Sequence, residues 1–407
     1  MSSYLVLVII ISISALFAYI NNRFLKMPFV IGLFFQSTIL SLIILSSKFW
    51  ANSYFTQVKI FVEAINISKY ILEYMLGYLL FAGSLHTEWI DIKKLIKPIA
   101  IFAVFGTILS TAIIGIAFYA LCIMFHFPIN FIYCLLFGAL ISPTDPIAVL
   151  GILTKAKVPK KIEATIVGES LFNDGIGVVI FIALLETLTS GEKLEFSHFG
   201  MLFIREAIGG VIFGLAAGYI LHKILSSINH YETEVLLTLA FVMLGYMLCL
   251  QLHISGALAM VIMGLFVGNY NHNKAMSDKT IDYVDKFWEL IDVVLNAILF
   301  VIISFVLVMM EFKIAYIFVA VISVVVVLVS RIIIVLLPKL LIPKIIDFTK
   351  KDSKLIIWGG LRGGLSIALV LSLPDGEPKN ILLIATYVCV VFSILVQGLT
   401  IKKLAKQ

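Results

Sequence analysis

Residues 142–146 read Ser-Pro-Thr-Asp-Pro, and residues 168–175 read Gly-Glu-Ser-Leu-Phe-Asn-Asp-Gly. Both stretches lie in long apolar segments, so Asp145, Glu169 and Asp174 fall where a chain in lipid tolerates charge least. A charge near the centre of a bilayer costs from ~2.5 to ~10 kcal/mol. Packing alone does not account for such groups. We therefore predict that Asp145 and Asp174 form a cation and proton site at mid-membrane.

The composition indicates a membrane protein. Hydrophobic residues make up 61% of the 407 residues and charged residues 13%, whereas about a quarter of the residues in a soluble domain are charged. Apolar runs longer than ~18 residues recur along the chain. We predict one all-α transmembrane domain over residues 1–407, without a soluble regulatory domain. The net charge of +6 is attributed to membrane orientation, not to nucleic-acid binding.

The apolar runs predict about thirteen membrane-spanning helices. The first is expected to be retained, because no basic region precedes it and no small-residue cleavage site follows it. A short amphipathic stretch at 271–289 is expected to lie along the membrane interface before the tenth span. The predicted spans are 3–20, 27–47, 67–85, 98–123, 128–153, 162–188, 198–221, 233–251, 254–270, 286–310, 313–337, 354–373 and 380–401.

Basic residues are concentrated at one side of the predicted spans. Links after odd-numbered spans are rich in lysine and arginine, and links after even-numbered spans are poor in them. The positive-inside rule then places the N-terminus outside and the C-terminus in the cytoplasm. The rich side includes Lys93, Lys94, Lys97, Lys155, Lys157, Lys160 and Lys161, and the poor side carries Lys48, Lys59, Lys69, Lys193, Lys313 and Lys379.

Two predicted spans are interrupted. Pro143 and Pro146 break span five, because a proline removes its own N–H and frees the carbonyl four residues earlier. Residues 359–364 of span twelve read Gly-Gly-Leu-Arg-Gly-Gly, and each glycine destabilises a helix by ~1 kcal/mol relative to alanine. The two spans are seven apart and enter from opposite sides. This pattern predicts two inverted repeats with broken, crossing helices, an arrangement typical of transporters.

Helix spacing groups the polar residues of span six. Ser170 and Asp174 share one face, and Glu169 and Asn173 share the adjoining face. Asp174 lies ~18 Å above the cytoplasmic start of the span, and Asp145 lies within roughly one turn of that depth. Alternatively, the two acids are buried groups satisfied by hydrogen bonds. The oxygen ligands for a small cation would be Asp145, Asp174, Thr144, Ser170 and the freed carbonyls of Ala139 and Ser142.

Two arginines lie within predicted spans. Arg331 and Glu169 lie at similar depths, so we predict a buried ion pair between them; the alternative is that Arg331 reaches the headgroups. Arg362 lies in the glycine break at about the depth of Asp145. It is expected to offset the exposed carbonyl ends of the half-helices and the negative cluster, and the alternative is a packing role.

Asp174 can hold either a proton or a cation. An apolar environment favours the protonated carboxyl and a bound cation favours the carboxylate, so binding one guest expels the other. The neighbour of Asp174 is Asn173 and not a second acid, so we expect one proton to be exchanged for one monovalent ion. A passive cation channel remains an alternative. An intramembrane aspartyl protease would need a Gly-x-Gly-Asp motif, where residues 173–177 read Asn-Asp-Gly-Ile-Gly.

Other polar residues have simpler interpretations. Glu73 is expected at the membrane interface, with an access funnel as the alternative. Asn296 is expected to form a hydrogen bond between helices. Arg205 and Glu206 are expected at the interface. A series of acids is interpreted as a solvated helix face, or as a cytoplasmic funnel that concentrates cations. These acids are Asp282, Asp285, Glu289 and Asp292.

Three motifs together resemble those of the first cation:proton antiporter family, the NhaP-type exchangers and their animal NHE relatives. They are Thr144-Asp145-Pro146, the stretch from Gly168 to Asp174, and Gly360-Leu361-Arg362-Gly363. The order of spans is also similar, so the resemblance covers essentially the whole chain. It implies that Asp174 is the main ion- and proton-carrying acid. It also implies cation ligands at Asp145, Thr144 and Ser170, a stabilising role for Asn173, and a Glu169–Arg331 bridge.

The resemblance further implies a homodimer in which a core bundle moves against a dimerisation scaffold. The core covers approximately 98–188 and 313–401, and the scaffold approximately 1–85 and 198–310. The Asn-Asp pair is similar to that of the electroneutral branch. Some relatives carry an acid in span three, where this chain has Phe81-Ala82-Gly83. The chain also ends at Gln407, without the long regulatory tail of the animal relatives.

We therefore expect a secondary transporter and not an enzyme. It would exchange Na+ or Li+ for protons across the plasma membrane of a prokaryote and serve pH homeostasis. Its partners would be monovalent cations, protons, membrane lipids and a second copy of the chain, without a cofactor. Exchange of K+ for protons on the same fold is the alternative.

Overall fold

The computed structural model describes residues 3–63, 65–146, 158–190, 196–274 and 278–406. Within these ranges every regular element is a helix. In the first half of the chain the helices are α1 (Ser3–Ile20), α2 (Phe29–Ser46), α3 (Asn52–Glu63), α4 (67–85), α5 (Trp89–Lys94), α6 (96–124), α7 (Phe131–Ile141) and α8 (Lys160–Ser190). In the second half they are α9 (Phe196–Leu225), α10 (Tyr231–Gln251), α11 (Gly256–Lys274), α12 (Asp278–Met309), α13 (Ile314–Leu341), α14 (Lys350–Gly359), α15 (Gly364–Leu371) and α16 (377–406).

The chain is a multi-pass membrane protein. Among the described residues, nine helices are long and apolar enough to cross a membrane, and the pair α14–α15, bent by 41°, makes ten if it counts as one span. Helices α4, α7 and α11 lie at predicted spans three, five and nine. The count of thirteen stays a prediction, because α7 and α11 are short and the predicted fifth span continues to 153, outside the described residues. Lys155 and Lys157 of the basic link also lie outside them.

One predicted element is wrong. Among the described residues the interfacial stretch expected at 271–289 is not a separate element, because α11 continues to Lys274 and α12 runs without interruption from Asp278 to Met309. Its first turns are held by packing: Trp288 is fully buried, donates from Nε1 to Thr238 Oγ1 at 3.0 Å, and contacts the ring of Phe81 with centroids 4.7 Å apart. Burial of such a large aromatic side chain stabilises the helix there.

Helix α8 is central and positions the site. It packs against α7, α9, α11 and α14. A Cβ at Gly177 of α8 would overlap the ring of Pro143, so glycine at this position lets α8 lie against the break that follows α7. The proline break and the polar face of α8 are thereby brought together.

Candidate ion-binding site

The breaks in the two interrupted spans meet. Helix α7 ends at Ile141, and Pro143 and Pro146 lie in the non-helical residues that follow. Helix α14 ends at Gly359, and α15 begins at Gly364. The backbone N–H of Asp145 donates to the carbonyl of Leu361 at 2.8 Å. This hydrogen bond joins the two breaks at the point where they cross.

Arg362 neutralises the carbonyl end of α7. Its side chain is 2% exposed, and Nη1 donates to the carbonyl of Ser142 and, at 3.0 Å, to that of Pro143. A guanidinium at the C-terminal end of a helix interacts favourably with the helix dipole. The Ser142 carbonyl, predicted as a cation ligand, accepts a hydrogen bond from Arg362 instead. Pro146 has no N–H to bond this carbonyl, and the buried guanidinium of Arg362 donates to it.

A second network fixes Thr144. Its backbone N–H donates to Asn173 Oδ1 at 3.1 Å, and Asn173 Nδ2 donates to Thr144 Oγ1 at 2.9 Å. The hydroxyls of Thr144 and Ser170 are hydrogen bonded at 2.9 Å. All three side chains are at least nine-tenths buried. Asn173 therefore holds Thr144 by both ends of its amide and places two hydroxyl oxygens side by side.

Asp145 and Asp174 line one cavity. Its volume is about 80 Å³, which is room for a few waters or a partly hydrated small cation. Both carboxylates are half-buried. A Cβ at Gly363 would overlap the Asp145 carboxylate, so glycine lets this carboxylate lie against the second break. The cavity thus joins two acids predicted as ion ligands.

Glu169 lies one turn before Asp174 on α8 but faces elsewhere. Its carboxylate forms a two-point ion pair with Arg331 of α13, from Nη1 to Oε1 and from Nη2 to Oε2, the latter at 3.0 Å. Nη2 also donates to the carbonyl of Ile356 in α14 at 2.9 Å. Both side chains are at most 5% exposed. The pair joins α8, α13 and α14 behind the cavity.

The remaining polar residues differ in exposure and in their contacts. Glu73 is half exposed and lies 3.8 Å from Lys69, which fits the interfacial interpretation. Glu206 is 7% exposed, so α9 turns this side chain towards neighbouring helices, and its depth at the interface stays a prediction. Asn296, expected to form a hydrogen bond between helices, donates instead to Asp292 on the same helix and is part of the cavity wall. Its spacing of four from Asp292 was the available sequence signal.

The sequence is similar to those of known membrane antiporters. Residues 11–407 match the family described as "Sodium/hydrogen exchanger, transmembrane". The Na+/H+ antiporter NhaP of Pseudomonas aeruginosa is 42% identical over 402 residues, which cover 98% of this chain and 95% of that protein. The Na+/H+ antiporter NhaH of Halobacillus dabanensis is 33% identical over 400 residues, which cover 95% of this chain and 93% of that protein.

A solved structure has the same fold. The sodium proton antiporter MjNhaP1 from Methanocaldococcus jannaschii matches with a TM-score of 0.75 over 98% of this chain and 96% of that chain. The sequences are 19% identical, so this likeness concerns the fold alone. The fold is that of a membrane antiporter with interrupted helices crossing at its centre.

Proposed function

Because the chain belongs to the sodium/hydrogen exchanger family, we propose that it exchanges a sodium ion for a proton across the plasma membrane of a prokaryote. The observation that carries the proposal is the shared cavity of Asp145 and Asp174, two acids from two different segments at the crossing of the broken spans. Li+ is proposed as a second substrate, because a small hard cation with the same charge prefers the same oxygen ligands.

Asp174 is the proposed carrier of both guests. A carboxyl in a cavity enclosed by protein favours the neutral, protonated form, and a cation at the same oxygens favours the ionised form. Entry of the cation therefore releases the proton, and entry of a proton releases the cation. Asp145 contributes the second carboxylate, and the adjacent hydroxyls of Thr144 and Ser170 contribute neutral oxygens.

The surrounding groups have supporting roles in this proposal. Asn173 holds Thr144 in place through its two hydrogen bonds. Arg362 offsets the carbonyls at the break, and the Glu169–Arg331 pair holds α8 against its neighbours. The pair neutralises itself, so it adds no free charge to the exchange. One carboxylate changes its guest, and we propose an electroneutral exchange of one cation for one proton.

Alternating access is proposed as an elevator movement. The moving core would contain approximately 98–188 and 313–401, including both breaks, and the scaffold approximately 1–85 and 198–310, including the dimer interface. The N-terminus would lie outside and the C-terminus in the cytoplasm. In this arrangement every proposed role named so far falls on the core, so the ion would travel with its ligands.

The test is cation-dependent proton flux in proteoliposomes, with Na+, Li+ and K+ added in turn. Asp174→Asn is expected to lower the exchange rate at least ~100-fold, because the asparagine cannot hold the proton. Glu73→Gln, which removes a carboxylate outside the cavity, is the matched control and should keep the wild-type rate. Exchange at the native rate by Asp174→Asn would overturn the proposal. Flux with K+ alone would assign the same site to potassium.

The stoichiometry has its own test. An electroneutral exchanger does not respond to an imposed voltage, whereas each net charge moved is worth ~2.3 kcal/mol per 100 mV. Proteoliposomes with equal Na+ and proton concentrations on both sides, and a membrane potential set by a K+ gradient with valinomycin, should show no Na+-dependent proton movement. Voltage-driven exchange would disprove the one-to-one ratio and leave the identity of the substrates untouched.

A further inference from the structure

Asn296 on α12 is the one residue in the cavity wall with an amide side chain. It is 1% exposed. Its Nδ2 donates to the Asp292 carboxylate at 3.0 Å and to the Asp292 backbone carbonyl at 2.8 Å. Its Oδ1 is buried and has no hydrogen-bond partner among the described residues. The wall of the ion cavity therefore contains an oxygen acceptor that no described residue uses.

The orientation of this amide follows from its partners. Both acceptors of Nδ2 are oxygens of Asp292, so the reversed amide would place the Asn296 carbonyl oxygen against two oxygens. Asp292 thus determines which end of the amide is left without a partner. A buried polar atom without a partner is destabilising unless a ligand or water satisfies it.

The charge around Asn296 favours a cation. Asp292 is half-buried on the same face of α12, one turn towards its N-terminal end, and interacts electrostatically with Asp145. Asp285 lies two turns further on this inward face and is also half-buried, whereas Asp282 and Glu289 are exposed. Half of the acidic series thus faces the protein interior, where it raises the local concentration of cations.

We propose that Asn296 Oδ1 is a further ligand of the transported cation and that Asp292 is a positioning residue that fixes its amide. The inference deepens the proposed function and rests on it. A neutral amide oxygen is a normal ligand for a hard monovalent or divalent cation. Asn296 belongs to the proposed scaffold, whereas Asp145, Asp174, Thr144 and Ser170 belong to the proposed core. The cation is bound across the interface between them when the cavity has the form seen here.

The experiment compares the KM for Na+ with the maximal rate in proteoliposomes. Asn296→Leu keeps the volume of the side chain and removes its oxygen. We expect KM for Na+ to rise about tenfold, the effect of one lost interaction with a charged group, with the maximal rate within about twofold of wild type. Leu299→Met, a volume-conserving change in the same cavity wall, should leave both parameters unchanged.

Two variants of Asp292 separate positioning from charge. Asp292→Asn keeps an oxygen that accepts from Asn296 Nδ2, and should keep KM for Na+ within about threefold of wild type. Asp292→Ala removes the carboxylate acceptor and leaves only the backbone carbonyl of residue 292. It should raise KM more than Asp292→Asn does, and at most as much as Asn296→Leu. Equal effects of the two Asp292 variants would disprove the positioning role, because charge alone would then account for them.

The outcomes distinguish this inference from the proposed function. If wild type exchanges Na+ for protons and Asn296→Leu has the wild-type KM, Asn296 is not a cation ligand, and the exchange at Asp174 stands. A lower thermal midpoint with an unchanged KM would assign Oδ1 to a structural water and also overturn the inference. If wild type shows no cation-dependent proton flux, the proposed function itself fails.

Discussion

Glu169 and Asp174 are two acids on one helix in opposite situations. Glu169 is 2% exposed and paired at both oxygens with Arg331, whereas Asp174 is half-buried and lines a cavity. Five residues along a helix correspond to a rotation of about 140°, so the two side chains face different neighbours. One carboxylate has a permanent counterion within the protein. The other has room for an exchangeable one.

This difference indicates that burial of a carboxylate in a membrane protein is not sufficient to assign it a role in transport. Glu169 and Asp174 would cost similar energy in lipid, and in the proposed function each has a positively charged partner. What differs is whether the partner is covalently part of the protein. The comparison therefore predicts that loss of Glu169 is a stability defect and that loss of Asp174 is a transport defect.

The largest expected effect on stability follows from Glu169→Gln. The change leaves the Arg331 guanidinium buried without a counter-charge, and breaking a buried ion pair from one side costs about 3–5 kcal/mol. The apparent free energy of unfolding in detergent, measured by thermal or denaturant unfolding, should fall by that amount. Asp174→Asn should stay within about 1 kcal/mol of wild type, because Arg362 keeps its hydrogen bonds to the carbonyls of Ser142 and Pro143 and repulsion with Asp145 is reduced.

A double variant provides the control for this comparison. Glu169→Gln combined with Arg331→Met removes both charges and should recover most of the lost stability, because replacing a buried pair by uncharged groups is often close to neutral. If the double variant is as unstable as the sum of the two single variants, Arg331 does not depend on Glu169. Glu169 would then not be a structural counterion of Arg331, and the proposed difference between Glu169 and Asp174 would be disproved.

A second prediction concerns the packing at the cavity. Gly363→Ala would place a Cβ on the Asp145 carboxylate and push that carboxylate away from its position in the cavity. We expect the exchange rate to fall about 100-fold, the size of effect that misplacement of a reacting group by ~1 Å produces. Gly83→Ala, in the wall of the same cavity, is the matched control, because its Cβ would meet only Leu171 Cδ2 at 3.6 Å.

The readout is the initial rate of Na+-dependent proton flux at saturating Na+, with expression and thermal stability measured in parallel. Gly83→Ala should keep at least about half of the wild-type rate, because its new contact is an ordinary van der Waals distance. Equal losses in both variants would mean that the cavity tolerates no added methyl group anywhere. In that case the position of the Asp145 carboxylate would not be the cause.

Much of this site could be predicted from local rules in the sequence. The prolines at 143 and 146 and the glycines at 359–364 break helices by their own chemistry, so the interruptions were foreseeable without a structure. The pairing of Glu169 with Arg331 followed from their similar depths along two spans. These predictions succeeded because helices that cross a membrane run side by side. The position of a residue along its span then gives its depth in the bilayer, and residues at similar depths on neighbouring spans can make contact.

Other features depend on contacts that no single helix contains. The Ser142 carbonyl was expected to be open to a cation, but Arg362 from a distant segment binds it. Helix α12 was divided at 286, because the acidic pattern from Asp282 to Asp292 looks like a solvated face, although burial of Trp288 keeps the helix intact. The position of Asn296 in the cavity wall was also not predicted, because the cavity forms where α12 meets residues of other helices.

The smallest of these predicted effects concerns Thr144. Thr144→Val keeps the shape of the side chain and removes the hydroxyl that is hydrogen bonded to Asn173 and Ser170, whereas Thr144→Ser keeps the hydroxyl. Loss of one neutral oxygen ligand should raise KM for Na+ about tenfold. The change also removes the acceptor of Asn173 Nδ2, which should cost about 1–3 kcal/mol of stability. Thr144→Ser should stay within about twofold of wild type, since the network can form again.

The proton and cation affinities of both variants show whether Thr144 binds the cation or, like Glu169, has a structural role. In the proposed function the Thr144 hydroxyl binds the cation as well as its neighbours in the protein. The valine variant should therefore bind Na+ more weakly and should release it at a higher pH, because protons then compete more effectively for Asp174. A valine variant with the wild-type KM and a lowered unfolding temperature would instead place Thr144 with Glu169, as a group that holds the break together. The ion would then be bound by carboxylates and water alone, without the hydroxyl that the second network positions.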